Sequence, residues 1–186
     1  MVPLLSLAVP ILVSAALVFV ASSIFHMVLT YHHSDYQKLP SEDEIQEALR
    51  RYNIPPGDYL MPRPASMKDM RNPEYLAKRE KGPLMVATIL KGGKINMGPQ
   101  LLQWFVFCVV VSIFAAYIAS RTLRPEAPYL EVFRVVGTVA FCGYALGNWP
   151  ETIWYQRSVI TTLKTTIDGL VYGLLSAGVF GWLWPR

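Results

Sequence analysis

The residues able to do chemistry are few and fall into two groups. His26, His32 and His33 are the 3 histidines of the chain and lie close together. Neutral imidazole is a good ligand for zinc, copper or haem iron. Were one helix to run through them, His26 and His33 would share a face. A metal site wants three or four ligands, however. No cysteine, methionine or carboxylate cluster is matched to these histidines, and Asp35 is the one nearby acid. Haem held between helices wants histidines on two of them, and the other apolar segments carry none. The expectation is no resident cofactor, with a metal ion or haem at His26, His32 and His33 as the lesser alternative.

The second group is Asp168 with Lys164, placed at the start of an apolar stretch among Thr161, Thr162, Thr165 and Thr166. Ionisable groups at membrane depth are costly and mark ion or proton sites by default. Lys164 lies one helical turn before Asp168, so the plainer expectation is an interfacial Lys164–Asp168 pair that sets helix depth. The sharper one is a proton or cation site with the threonine hydroxyls around it. Glu131 and Arg134 have the spacing of a same-face pair that neutralises itself near the opposite interface.

These groups need elements to hold them, and the charge distribution says which. The 186 residues are 53% hydrophobic and 16% charged, against about 25% charged in soluble domains. Residues 1–34 and 95–120 contain no Asp, Glu, Lys or Arg, whereas residues 31–98 hold 20 of the 30 formal charges, 11 basic and 9 acidic. Water-soluble elements each need a wet face; here the charges are segregated. A bilayer core needs about 20 apolar helical residues to cross it. Four stretches reach that length, at 4–29, 101–120, 129–149 and 165–184. In lipid the backbone must satisfy itself, which selects helices. The first run has no basic start and is far longer than a cleaved signal core, so it reads as an uncleaved span. Cys108 and Cys142 fall within spans and read as small apolar side chains. The expected fold is an all-α membrane protein: a four-transmembrane-helix bundle with a small mixed α/β extramembrane insertion between helices 1 and 2. Its divisions are helix 1 over 1–30, the insertion over 31–98 and helices 2–4 over 99–186.

Aromatic placement agrees. Four crossings gather Tyr31, Trp104, Trp149, Trp154 and Tyr155 at one interface and Tyr129, Trp182 and Trp184 at the other, where amphipathic rings sit best. Arg121 and Arg124 in the short second connection favour both termini in the cytoplasm. The expected location is a bacterial inner membrane.

In the insertion, Ser41 with Glu44 forms a capping box for a short helix, stopped by Asn53 and Pro55-Pro56-Gly57. Residues 55–64 hold four prolines and read as an extended strap. Asn72-Pro73 starts a second helix that Gly82 ends. Residues 84–90 read as a strand, 91–94 as a turn and 95–97 as a short return strand.

Helices in lipid meet through small residues, because lipid tails are as apolar as leucine. Gly169, Gly173, Ala177 and Gly181 recur every four residues, and Gly143 and Gly147 do so on the preceding span. These six are the expected packing positions.

The net charge is +4, yet acids interleave with the bases and no basic stripe remains, which excludes nucleic-acid binding. No phosphate loop, His-Glu-x-x-His, Cys-x-x-Cys or Gly-x-Ser-x-Gly occurs, so no reaction can be named. The expected function is a structural or accessory membrane protein, docking a protein partner or complex through its insertion, with the lipid bilayer and a protein partner or homo-oligomer as the expected partners. The alternative is a small oligomeric transporter or ion-handling protein using Asp168.

Overall fold

A computed structural model describes residues 2–185. In chain order its elements are α1 (Ala8–Ser23), α2 (Glu42–Arg51), β1 (Gly57–Met61), α3 (Pro73–Lys81), β2 (Met85–Ile89), α4 (Gly98–Thr122), α5 (Tyr129–Tyr144), α6 (Trp149–Tyr155) and α7 (Val159–Trp182). They form two compact units, Met1–Gln37 with Asn96–Arg186, and Lys38–Ile95.

Three helical segments are long and apolar enough to cross a membrane: Leu4–Val28, Gly98–Thr122 and Tyr129–Tyr155. The first is α1 extended by a 3-10 turn (Leu4–Leu7) and a π turn (Ile24–Val28). In the helical unit α1 packs on α4 and α7, and α5 packs on α4 and α7, a closed ring of four helices. The interior is built of small or short residues, among them Ser14, Ala15, Ser112, Ala115, Ala116, Ala140 and Ala177, all fully buried. Large apolar side chains point the other way: Leu12, Leu17, Val20, Val106, Phe114, Ile167 and Leu174 are exposed. No more than a third of each candidate span (28–33%) is buried within the protein. Apolar surface on this scale is unfavourable in water and suits hydrocarbon.

The glycines show how the close approach is made. A Cβ on Gly169 would lie 2.8 Å from the Ala145 Cβ, and one on Gly173 would lie 3.2 Å from the Gly137 carbonyl oxygen and the Phe141 nitrogen. At Gly181 the Tyr129 ring stands in the way at 2.6 Å, and at Gly143 the Val111 side chain at 3.0 Å. Ala177 is 3.1 Å from where a Gly137 Cβ would be. Gly147 differs: it sits in the 3-10 turn Leu146–Asn148 with nothing within 4 Å of its Cβ position, so it makes no such helix contact.

Two helix boundaries depart from expectation. The third segment breaks after Tyr144 and restarts as α6, where Pro150 lacks an N–H and fits a first turn. The fourth helix begins at Val159 rather than 165, because the Ser158 hydroxyl accepts the Thr161 N–H as an N-cap. Chain ends and connections sort to opposite ends. The Val2 N–H reaches the Ser120 carbonyl, the Glu126 N–H reaches the Pro185 carbonyl, and the Trp184 indole donates to the Arg124 carbonyl at 3.1 Å. The chain after α1 and the approach to α7 lie at the other end, where the site is found.

In the insertion unit, β1 and β2 pair antiparallel from Gly57↔Ile89 to Met61↔Met85. The proline-rich strap is thus the partner of the second strand, and residues 95–97 form none. A long-range pairing has displaced the local hairpin expected around Gly92-Gly93. Asn72 caps α3 by accepting the Glu74 N–H at 2.9 Å, and Gly82 ends it at φ 63°. Ser41 does not cap α2: it is left-handed (φ 48°) and its hydroxyl makes no cap bond, so Glu42, Asp43 and Glu44 alone favour that helix start.

Candidate functional site: a histidine–carboxylate cluster

The two groups of reactive residues, some 130 positions apart in sequence, meet at one place. The π turn ending α1 carries His26, and Leu29 then leaves the helix with an extended backbone (φ −82°, ψ 135°). That break feeds a 3-10 turn, Thr30–Ser34, which folds back over the first turns of α7. His32 therefore stacks on His26, with centroids 4.3 Å apart and planes 12° from parallel.

Both ring nitrogens of His32 face carboxylates. Nδ1 lies 2.6 Å from Asp35 Oδ2 and Nε2 lies 2.8 Å from Asp168 Oδ2. Both contacts are within hydrogen-bonding distance, so His32 bridges the two acids. The Tyr31 hydroxyl donates to the other oxygen of Asp168. Lys164 Nζ donates to Asp35 Oδ1 at 2.8 Å, to the Tyr31 carbonyl at 2.5 Å and to the Ser34 hydroxyl at 2.8 Å. Asp168 is 3% exposed. Lys164 and His32 thus lie against Asp35 and Asp168, so that each acid of this largely buried set has a basic partner.

The titration of the flanking groups follows. Burial pulls the Asp35 carboxyl upward, but the bonds from Lys164 and His32 outweigh it and hold the group below its ordinary value. Burial first, and then the Asp168 carboxylate, push the Tyr31 hydroxyl well above the usual phenol range, keeping it a donor.

The arrangement differs from the expected one in three respects. Lys164 pairs with Asp35 and not with Asp168. The threonines do not surround Asp168: Thr165 and Thr166 donate to the Thr162 carbonyl of their own helix, and Thr162 meets Thr152. His33 is exposed and makes no side-chain hydrogen bond or ion pair among the described residues. Likewise no ion pair joins Glu131 to Arg134, both exposed. Sequence reading missed Tyr31, taken as an interfacial aromatic, and the bridging role of Asp35, which is only three residues from His32.

Below the cluster, buried polar groups continue partway into the helices. Tyr172 follows Asp168 by one turn, stacks on Phe25 at 5.8 Å, and has a buried hydroxyl without a hydrogen-bond partner among the described residues. The Tyr144 hydroxyl donates to the Cys108 carbonyl at 3.4 Å, and Ser14 bonds Ser112 at 3.0 Å. Past that pair the interior is mainly apolar, closed by Leu7, Ile11, Val132, Val136 and Phe180, with Ser120 buried at its far end. Beside the cluster an open groove of about 280 Å³ is lined by Ser22, His26, Met27, Met97, Leu101 and Trp104, with the Trp104 indole donating to Ser22 at 2.7 Å.

Comparison with known proteins returns no matching family model, no matching curated protein and no matching solved structure.

Proposed function

We propose that the chain is a four-span integral membrane protein of the ion-handling class, with a cation-binding centre at Asp168 and His32 that opens towards one side of the bilayer. The observation that carries this reading is the Asp168 carboxylate, 3% exposed and held between His32 and Tyr31. A buried acid at the end of a membrane helix, matched by groups that exchange protons, is suited to bind a proton or another cation in their place.

The fourth crossing is supported by the way α7 distributes its polarity. Thr161, Thr162, Asp168 and Ser176 are buried inside the ring, whereas Ile160, Leu163, Ile167, Leu170 and Leu174 face outward. Its 24 residues would reach about 36 Å at 1.5 Å each, enough to span. Four crossings also account for Val2 and Pro185 lying at one end of the bundle. The apolar plug of Leu7, Val132 and Phe180 favours binding from one side over a continuous pore. Lipid is the surrounding partner, and a bacterial inner membrane with cytoplasmic termini remains the location we propose.

The test is charge displacement from reconstituted protein on a solid-supported membrane after a jump in proton or cation concentration. The reading requires a current that Asp168→Asn abolishes while helical content is unchanged. No current from the native protein with any cation would refute it.

A second reading, an accessory protein docked through its insertion, is favoured by one observation. Within Lys38–Ile95 only Tyr75 is buried, while Met67, Leu90 and Ile95 are among the exposed apolar residues. So thin a core gains from a covering partner. Purification in mild detergent tests it: a stoichiometric protein companion supports docking, and a pure species with no companion rejects it.

A further inference from the structure

We propose that His26, His32 and Asp168 together bind one divalent transition-metal ion of the zinc class; the proposal rests on the cluster being the cation-binding centre. The three residues each offer one ligand atom, and those atoms lie within 4.8 Å of one another.

The hydrogen bonds around the two histidines prepare them for that role. The Nδ1 of His26 lies 3.0 Å from the Ser22 carbonyl, which can only accept, so this nitrogen carries the proton and Nε2 keeps its lone pair. The Nδ1 of His32 faces Asp35, which Lys164 anchors in turn. A backbone carbonyl and a carboxylate are the two groups that ordinarily orient metal-binding imidazoles from behind. Each histidine thus has one nitrogen held from behind, and His32 turns its other nitrogen to Asp168 at 2.8 Å. Tyr31 holds one oxygen of Asp168 and leaves the other pointed at His32.

The exchange is balanced. The proton now shared between His32 Nε2 and Asp168 leaves to solvent, and the metal takes its place between the same two atoms. Those atoms are 2.8 Å apart, whereas neighbouring ligands in a tetrahedral zinc site, with bonds of about 2.0–2.1 Å, stand about 3.3–3.4 Å apart. An opening of about half an ångström therefore suffices on that edge. His26, exposed and stacked parallel to His32, joins by tilting its ring about the Ser22 hydrogen bond so that its other nitrogen faces the ion, and the adjoining groove gives room for a water at the fourth position. Two imidazoles and one carboxylate suit zinc and its first-row neighbours; calcium and magnesium prefer oxygen throughout.

The experiment is titration of full-length protein in mild detergent with cobalt(II), read by visible absorption and followed by displacement with zinc. The expected result is one cobalt per chain, released by zinc. His26→Ala should weaken binding at least about 100-fold, and Asp35→Asn, which acts from behind, about 10–100-fold. His33→Ala should bind like the native protein. Circular dichroism checks that each variant keeps its helices. Absence of a cobalt spectrum, unchanged affinity in a folded His26→Ala, or equal weakening by His33→Ala would each overturn the proposal. The two readings separate: an Asp168-dependent proton current without cobalt binding removes the metal and leaves the cation centre. Stoichiometric cobalt binding without any current upholds the metal site and removes ion handling.

Discussion

Lys164 bonds Asp35, 129 residues away at 2.8 Å, rather than Asp168 on its own helix. It thereby ties the turn after α1 to the start of α7, with the Tyr31 carbonyl and Ser34 hydroxyl as further acceptors. Removing Lys164 takes one of the two basic partners from the part-buried Asp35 and leaves it His32 alone. Lys164→Gln should therefore release residues 30–35, seen as faster amide hydrogen exchange there, while Lys164→Gln with Asp35→Asn recovers part of the protection. Equal exchange in the single and double variants would show that the pair is not coupled.

The glycine face of α7 makes a second prediction. A Leu at Gly173 must displace the backbone of α5 at Gly137 and Phe141, whereas Leu174 faces outward. Gly173→Leu should abolish the monodisperse peak of the detergent-solubilised protein on size exclusion, and Leu174→Ala should preserve it. Similar profiles from both would contradict the packing.

Ser14 and Ser112 join α1 to α4 by a buried hydrogen bond. Such bonds within membranes are worth about 0.6 kcal/mol, and at most about 1.7. Ser14→Ala should lower stability by that small amount in a mild unfolding titration. A loss several times larger would mean that the hydroxyl holds more than its partner.

Tyr75, 9% exposed, is the one buried residue of the unit Lys38–Ile95. Tyr75→Ala should expose that unit to limited proteolysis and leave residues 97–185 protected. Simultaneous cleavage of the helices would show that the two units fold as one.

How much of this was readable beforehand depends on the range of the interactions. The charge-free stretches marked the apolar helices, since the demand for 20 apolar residues is a local one. Asn72-Pro73 and Gly82 bounded α3 because caps act within a turn. Ser41-x-x-Glu44 misled: the motif fits a cap, but the backbone at Ser41 enters left-handed. The reactive residues were noticed as types and misassigned as partners. His26 and His33 share a face only if the helix continues, and it stops at Leu29. That break swings His32 onto His26 and brings Asp35 to Lys164. Nothing in the spacing of Lys164 and Asp168 reveals a competitor arriving from residue 35. The pairing of Gly57–Met61 with Met85–Ile89 was hidden for the same reason, as both partners lie far apart in sequence.

The account depends above all on α7 lying in hydrocarbon with its polar face inward. A nitroxide spin label at Leu174→Cys in reconstituted protein tests this, by its collisions with oxygen, which concentrates in lipid, and with a nickel chelate, which stays in water. The account predicts frequent oxygen collisions and almost none with nickel. Strong nickel collisions with weak oxygen exposure would place that face in water and contradict it.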